Sequence, residues 1–171
     1  MNPEQAAFVA EMYTQGLERE YAVTRRIIAA VPEDNKHYRP DDNARTAFEL
    51  ASHIATSEVW FLNGIAKGEF VRGTPKEFGS VAEISAYYDK EFPAALAKVR
   101  ALPAEKLANN ISFAIFNMPA VAYLGFVNNH SIHHRGQLAV YLRPMGSKVP
   151  GIYGPSYDEP MPAHKPAAAA N

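Results

Sequence analysis

Histidine is the residue type in this sequence whose spacing points to chemistry. The chain has six histidines in 171 residues, and three of them lie within the segment HSIHH at positions 130–134. His130 and His134 are four residues apart, so on a helix their imidazoles lie one turn apart on the same face. Two imidazoles in this arrangement can share one metal ion. The pair is therefore a candidate for metal ligation.

A third histidine has the same phase relative to the apolar face of its helix. His53 lies in register with an apolar stripe made of Leu50, Ile54, Trp60 and Phe61. Three neutral imidazoles, from His53, His130 and His134, are then expected to point into the interior of a helical bundle. Burying them without partners would cost about 1–3 kcal/mol for each unsatisfied group. Metal binding removes that cost, and hydrogen bonding of core histidines to carbonyl oxygens is the alternative.

Neighbouring polar residues are candidates for orienting the three rings. These candidates are Gln137, His133 and Glu49. Gln137 follows His134 by three residues and suits the role best, because groups that bond the second ring nitrogen fix the tautomer of a ligand histidine. His133 belongs at the edge of the buried stripe, in a supporting or an interface position. Glu49 is either such a supporting group or a solvated helix charge.

The first two helices that must carry these residues can be predicted from caps and periodicity. Asn2, Pro3 and Gln5 form a helix start, and apolar residues at helical spacing extend the first helix from about residue 3 to 30. The polar segment PEDNKHYRPDDN is a connection, and its end, Asp42 or Asn43, is expected to cap the second helix. This helix should end at about Gly68.

The remaining elements are predicted in the same way. Ser80 and Glu83 form a capping box for a third helix, which Pro93 should kink or split. The run ISFAIF is either a strand or a buried turn of helix. Asn117 and Pro119 should open the last long helix, which Pro144 and Gly146 end. Arg135 and Arg143, near its end, are expected to complement the helix dipole or to pair with acidic residues.

Together these elements predict an all-α fold, a four-helix bundle followed by an irregular Pro/Gly-rich C-terminal segment. Residues 1–158 are assigned to the bundle and residues 159–171 to a flexible tail. Within the irregular segment, Tyr153, Tyr157 and Asp158 are candidates for contacting a substrate if the chain folds back over the mouth of the bundle. The alternative is an irregular strap along the surface.

Composition and charge exclude several classes of protein. The chain has no cysteine, so disulfides, thiolate metal sites and a protein thiol nucleophile are excluded. Its 17 basic and 18 acidic residues give a net charge of -1, which disfavours nucleic-acid binding. Glu4 and Glu11 stand where a signal peptide would be basic and then apolar, and no long apolar run predicts a membrane span. We therefore expect a cytoplasmic protein whose partners are small molecules or another copy of itself.

Three segments resemble a known family. The segments ARTAFELASHIA, NHSIHHRGQLAVYLRPMG and PGIYGPSYDE are similar to those of the DinB-like (DinB/YfiT-type) metalloenzymes, and the resemblance covers residues 1–158. It implies an up-down-down-up four-helix bundle, commonly a homodimer. It also implies one divalent metal, typically zinc or nickel, held by His53, His130 and His134.

The resemblance also widens the range of reactions to be considered. The broader superfamily includes thiol transferases that use low-molecular-weight bacterial thiols and members described as metal-dependent hydrolases. A three-histidine ion with an open position activates water or an external thiol. The sequence therefore leaves two hypotheses: a metal-dependent hydrolase or thiol S-transferase, and a non-catalytic metal-binding or stress-response bundle. No general base can be recognised from motif spacing.

Overall fold

The chain folds into four long helices with a small β-hairpin, as seen in a computed structural model that describes residues 1–161. The α-helices within this range are α1 Pro3–Ala29, α2 Ala47–Lys67, α3 Val81–Arg100, the short α4 Ala104–Ala108 and α5 Ala122–Leu142. A 3-10 helix, Glu33–Asn35, and two strands, β1 Asn110–Phe113 and β2 Phe116–Pro119, lie in the connections. The predicted all-α fold class is confirmed, with the hairpin as an addition.

The long helices enclose one apolar core. Helix α2 packs against α3 and α5, and α1 packs against the same two helices, so α1 and α2 occupy opposite corners of the bundle. Each helix contributes an apolar stripe, although in α1 the predicted members Phe8 and Met12 are exposed and Ala6, Ala10 and Leu17 are buried instead. Fully buried members of the core include Leu17, Ile27, Leu50, Ile54, Ile84, Phe92, Leu124, Val127 and Leu138. The contact between α2 and α5 is the one that positions the histidines.

The start of α2 differs from the prediction. Helix α1 begins with the predicted capping box of Asn2 and Gln5, but α2 is capped by Thr46 instead of Asp42 or Asn43. The Thr46 hydroxyl accepts a hydrogen bond from the Glu49 amide, and the Glu49 carboxylate accepts one from the Thr46 amide at 2.8 Å. Asp41 accepts a hydrogen bond from the Asn43 amide and closes a local turn. The competing turn thus delays the helix by several residues.

Helix α3 runs without interruption through Pro93, so the predicted split does not occur. Ser80 caps it by accepting a hydrogen bond from the Glu83 amide, whereas the Glu83 carboxylate bonds the Gly79 amide and leaves the box half formed. Phe92 and Leu96, on either side of the proline, are both buried. Packing of the apolar face therefore maintains the helix despite the lost backbone hydrogen bond.

The segment before α5 forms a hairpin, and this corrects the predicted start of the last helix. Strands β1 and β2 pair antiparallel, with Phe113 opposite Phe116 and Ala114 at a φ of 51° in the turn. Asn117 and Pro119 belong to β2 and do not open the helix. The amides of residues 120 and 121 donate to carbonyls of residues 109 and 107. This second contact anchors the turn at residues 120–121, from which α5 begins at Ala122.

Residues 147–159, here called the strap, are irregular and tied to α1 and α5. The Ser147 hydroxyl donates to the Ala30 carbonyl at 2.6 Å, Arg26 pairs with Glu159 at 2.5 Å, and Arg143 pairs with Asp158 at 2.8 Å. The predicted irregular segment is therefore anchored to the bundle along this stretch. The tail predicted for residues 159–171 lies, from residue 162 onward, outside the described residues.

No helix among residues 1–161 combines the length and the apolar character that crossing a membrane requires.

Candidate metal centre

Three half-buried imidazoles meet between α2 and α5. The Nε2 atom of His53 lies 3.1 Å from that of His130 and 3.2 Å from that of His134. One ligand atom from each residue lies within 4.8 Å of the others. His130 and His134 stand one turn apart on α5, with ring centroids 4.4 Å apart, and His53 faces both from α2. The structure thus brings together the three histidines that helical phase selects.

The separation of the nitrogens suits a single ion. Two nitrogens bound to one zinc ion at about 2.0–2.1 Å in tetrahedral geometry are about 3.3 Å apart. The observed distances of 3.1 and 3.2 Å are close to that value. Neutral imidazoles bind zinc, nickel, copper and iron, and they do not suit magnesium or calcium. The donor set therefore fits a divalent transition metal.

Hydrogen bonds between the rings cannot satisfy the three Nε2 atoms as well as a shared cation can. A ring nitrogen carries at most one hydrogen, so His53 Nε2 cannot make good hydrogen bonds to both His130 and His134. His130 Nδ1 is also buried without a hydrogen-bond partner among residues 1–161. A cation that accepts three lone pairs at once satisfies the three Nε2 atoms together.

The surroundings of the cluster favour neutral imidazoles. Burial is the largest cause of the low pKa values, which fall to about 4 for His53 and about 3 for His130. Burial also lowers the pKa of His134, and the positive charge of Arg45 acts in the same direction on all three rings. Neutral rings have the free lone pair that metal ligation requires.

Gln137 and Tyr141 set the orientation of one ring. Gln137 Oε1 lies 3.2 Å from His134 Nδ1, and its amide nitrogen donates to the Tyr141 hydroxyl at 3.3 Å. With Oε1 on the side of the ring, the Gln137 oxygen accepts the Nδ1 hydrogen, and the Tyr141 hydroxyl completes the contact at the other end of the amide. His134 Nε2 is then left with its lone pair directed at the cluster.

The other two supporting candidates are placed differently. The Glu49 carboxylate bonds the amide and hydroxyl of Thr46 at the start of α2, and none of its hydrogen bonds reaches a ring of the cluster. This capping accounts for its lowered pKa. His133 is exposed, and its ring packs edge-on against His134 with centroids 4.7 Å apart. It shields one side of that ring without offering a nitrogen to the cluster.

A cavity of about 960 Å³ opens beside the cluster, with His53 and His130 in its wall. Aromatic rings from several elements line it, and residues 72–78 cross its rim. Tyr153, Tyr157 and Asp158 do not line this cavity. Asp158 instead accepts hydrogen bonds from Arg143 and from the Val149 amide, so the strap follows the surface, as the alternative prediction had it.

A second buried polar group lies in the bundle, and the sequence did not predict its burial, although pairing of Arg135 with an acidic residue was one of the two expectations. Arg135 is fully buried and pairs with Glu20 of α1, not with the helix dipole. It also donates to Thr24 at 3.0 Å and to the Tyr153 hydroxyl at 2.5 Å. The sequence signal was available: Arg135 follows Ser131 and precedes Leu138 at helical spacing on the buried face. These contacts join α1, α5 and the strap.

The fold and the site thus define a helical bundle with a three-histidine cluster between two of its long helices. A sequence model of the DinB family matches residues 5–166, so the chain belongs to the DinB family, as the sequence segments indicated.

Similar proteins from Bacillus agree with this assignment. The uncharacterised protein YrdA of Bacillus subtilis is 36% identical, with 68% of this chain and 80% of YrdA covered. The uncharacterised YjoA of the same organism is 28% identical, with 72% and 82% covered. The crystal structure of YjoA, a DinB-like protein, superposes with a TM-score of 0.70 at 26% identity, over 82% of this chain and 97% of the other. A DinB-like protein from Bacillus cereus gives 0.72 at 26% identity, over 84% and 97%.

Proposed function

We propose that this protein is a metal-dependent enzyme of the DinB family, a hydrolase or a thiol S-transferase. His53, His130 and His134 hold one divalent ion, zinc or nickel. The observation that carries the proposal is that His53 Nε2 lies 3.1 and 3.2 Å from the Nε2 atoms of His130 and His134, separations that suit a shared ion, with all three ligand atoms within 4.8 Å of one another. When bound, such an ion lowers the pKa of water or of a low-molecular-weight thiol cosubstrate enough to make a nucleophile at neutral pH.

The chain's own residues prepare the site in three ways. Gln137 holds the His134 ring with its Nε2 lone pair towards the cluster. Phe126 stacks on His130, with ring centroids 6.4 Å apart and an angle of 22° between the rings, so it restricts that imidazole from the cavity side. The aromatic cavity wall places apolar side chains beside the cluster, and a lower local dielectric strengthens electrostatic interactions there. All three protein donors are neutral, so the full charge of the ion is available to the reaction.

The absence of a protein thiol suits an external one. The chain contains no cysteine that could compete for the ion or form a mixed disulfide with a small thiol. A cytoplasmic location, where low-molecular-weight thiols stay reduced, is part of this proposal.

A homodimer is also part of this proposal, because it would cover the exposed Phe8 and Met12, four residues apart on α1. Sedimentation equilibrium tests the dimer, and a monomer at micromolar concentration contradicts it.

Metal content is the direct test. Protein purified without a histidine tag is expected to carry about one equivalent of zinc or nickel by elemental analysis, and His130→Ala is expected to carry almost none. His133→Ala is the matched control, because its exposed ring neighbours the cluster without joining it. Full metal occupancy in His130→Ala would contradict the proposal.

A second measurement separates catalysis from a purely structural ion. An ion that serves a non-catalytic bundle should dominate stability, so a chelator would unfold the protein or lower its Tm steeply. A catalytic ion on a preformed bundle should shift Tm only as mass action requires. Activity is then sought by screening small thiols against electrophilic acceptors and esters, with His130→Ala as the inactive reference. A metal-loaded protein without turnover and with metal-dependent folding would support the non-catalytic module.

A further inference from the structure

The walls of the cavity beside His53 and His130 define the kind of molecule that can occupy it. Phe113 of the hairpin, Phe61 of α2 and Phe126 of α5 form a continuous aromatic surface, with centroids 5.1 Å apart for Phe61 and Phe126 and 5.2 Å apart for Phe61 and Phe113. His130 continues this surface, 6.0 Å from Phe61. The aromatic wall and the metal centre are therefore one surface.

The opposite side of the cavity is also aromatic. Phe78 and Tyr87 pack edge-on at 5.4 Å, and the Lys76 ammonium lies over both rings at 5.6 and 5.3 Å. Trp60 belongs to the first side, with its ring centroid 4.8 Å from Phe61 and 5.6 Å from Phe113. Rings on both sides leave a space in which a flat molecule can stack.

Three polar groups that α2 contributes to the wall have already used their hydrogens, and the charged lining residues Arg72, Lys76 and Glu77 are exposed to solvent. The Trp60 indole donates to the Val71 carbonyl at 2.8 Å, and the hydroxyls of Thr56 and Ser57 donate to carbonyls one turn earlier in α2, at 2.7 and 2.5 Å. Against these three groups of α2, a ligand rich in hydroxyls would lose its hydration without recovering hydrogen bonds from them. An apolar ring loses nothing by the same transfer.

From this arrangement we infer that the substrate carried by the cavity is an uncharged, predominantly apolar molecule with an aromatic ring. The ring lies between the two aromatic sides, and the reactive group lies at the end next to His53 and His130. The volume of about 960 Å³ admits a molecule of two or three rings. That this molecule is a substrate rests on the proposed function. The preference of the cavity for an aromatic ring over a polar ligand depends on the cavity walls alone.

N-Phenyl-1-naphthylamine, an uncharged aromatic dye that fluoresces in apolar sites, is the probe. The protein treated with chelator is titrated with the dye and is expected to bind one equivalent. Trp60 is the sole tryptophan of the chain and lines the cavity, so its emission should fall as dye binds. 4-Chlorobenzyl alcohol should displace the dye, and myo-inositol at the same concentration should not.

Three variants locate the binding. Phe126→Ala removes about one aromatic contact and should weaken dye binding about tenfold. Thr56→Phe places a ring in the space that the dye occupies and should also weaken dye binding. Ile115→Ala, at the exposed tip of the hairpin outside the cavity, should bind as the wild type does. Circular dichroism and Tm establish that each variant is folded. If Phe126→Ala does not fold, Thr56→Phe alone decides.

The outcome separates this inference from the metal proposal. Dye binding with wild-type affinity in His134→Ala, which removes a proposed ligand that does not line the cavity, supports the apolar substrate class even if elemental analysis finds no metal in the wild type. Equal dye affinity in the wild type, Phe126→Ala and Thr56→Phe overturns the inference, as does displacement by myo-inositol, whatever the metal content. Failure of the wild type to bind the dye also overturns it.

Discussion

Tyr88 donates its hydroxyl hydrogen to the carboxylate of Glu58 at 2.6 Å, in the interior of the bundle between α3 and α2. Both side chains are almost completely shielded from solvent. The other carboxylate oxygen of Glu58 has no hydrogen-bond partner among the described residues. Burial, the largest cause, raises the pKa of Glu58 to about 7, although the Tyr88 hydrogen bond opposes the shift. Glu58 therefore folds most favourably as a neutral acid.

This contact predicts a pH-dependent gain in stability for Glu58→Gln. The unfolded chain releases the Glu58 proton near its ordinary pKa, whereas the folded chain keeps it until about pH 7, so wild-type stability falls as pH rises between these values. The amide of the variant does not ionise, so the variant lacks this loss. The difference in unfolding free energy, variant minus wild type, should rise by up to about 3 kcal/mol between pH 4.5 and 7.5. Urea denaturation across this range measures it.

The exposed Glu69 supplies the control, because its carboxylate stays in solvent in both states of the chain. Glu69→Gln should show a constant difference over the same pH range. A flat profile for Glu58→Gln would show that Glu58 is ionised in the folded protein.

Replacing Arg135 tests the buried polar group at the centre of the bundle. Arg135→Met removes the partner of Glu20 and Thr24 and leaves the half-buried Glu20 carboxylate uncompensated, so we expect a loss of about 3 kcal/mol. The matched control is Arg25→Met, which breaks the ion pair with Asp89 at the surface and should cost less than about 1 kcal/mol. Chemical denaturation compares the two, and equal losses would contradict the assignment of Arg135 to the core.

Gln137→Ala tests the orientation of the His134 ring. Without the Gln137 acceptor, the His134 ring is no longer held in one tautomer and one rotamer. Metal affinity should therefore fall by about 10-fold to 100-fold. Competition with a chromophoric chelator measures the affinity of each variant for zinc. Gln15→Ala, at an exposed position of α1, serves as control and should leave the affinity unchanged. An unchanged affinity in Gln137→Ala would separate Gln137 from the site.

Gly64→Ala tests the packing behind the cavity wall. A Cβ at position 64 would lie 2.3 Å from Cδ1 of Phe70, a ring held by Phe61 and Tyr123, so Phe70 must move. The expected overpacking exceeds the helix-propensity gain of alanine, giving a net loss of about 1–2 kcal/mol. Gly16→Ala has open space around the same Cβ and should gain about 0.5–1 kcal/mol. A gain in both variants would show that Phe70 is free to shift.

Helical phase alone could select the three histidines, because two residues four positions apart on a buried helix face contact the same neighbouring helix. His53 was found in the same way, since its helix had enough apolar residues to define a face. The Gln137 contact followed from its spacing to His134. Three-residue and four-residue spacings are therefore sufficient to locate the cluster on its two helices.

Other features depended on contacts between distant segments, which the sequence does not display. Thr46 replaced the predicted cap of α2 because Asp41 closes a turn just before it. The hairpin depends on strand pairing, and the hydrogen bonds from the amides of residues 120 and 121 to the carbonyls of residues 109 and 107 close its base. The aromatic cavity joins Phe48 of α2, Phe78 before α3 and Phe113 of the hairpin. No local pattern predicts that these rings share one space.

The position of the histidines on α2 and α5 has a consequence for how the protein is made. His53 and His130 are 77 residues apart along the chain, and His53 and His134 are 81 apart. At a synthesis rate of about 5–20 residues per second, a ribosome completes His130 about 4–15 s after His53. The nascent chain has a single imidazole of the cluster throughout that interval. Any ion that the cluster holds is acquired late, after α5 has been synthesised and has docked on α2.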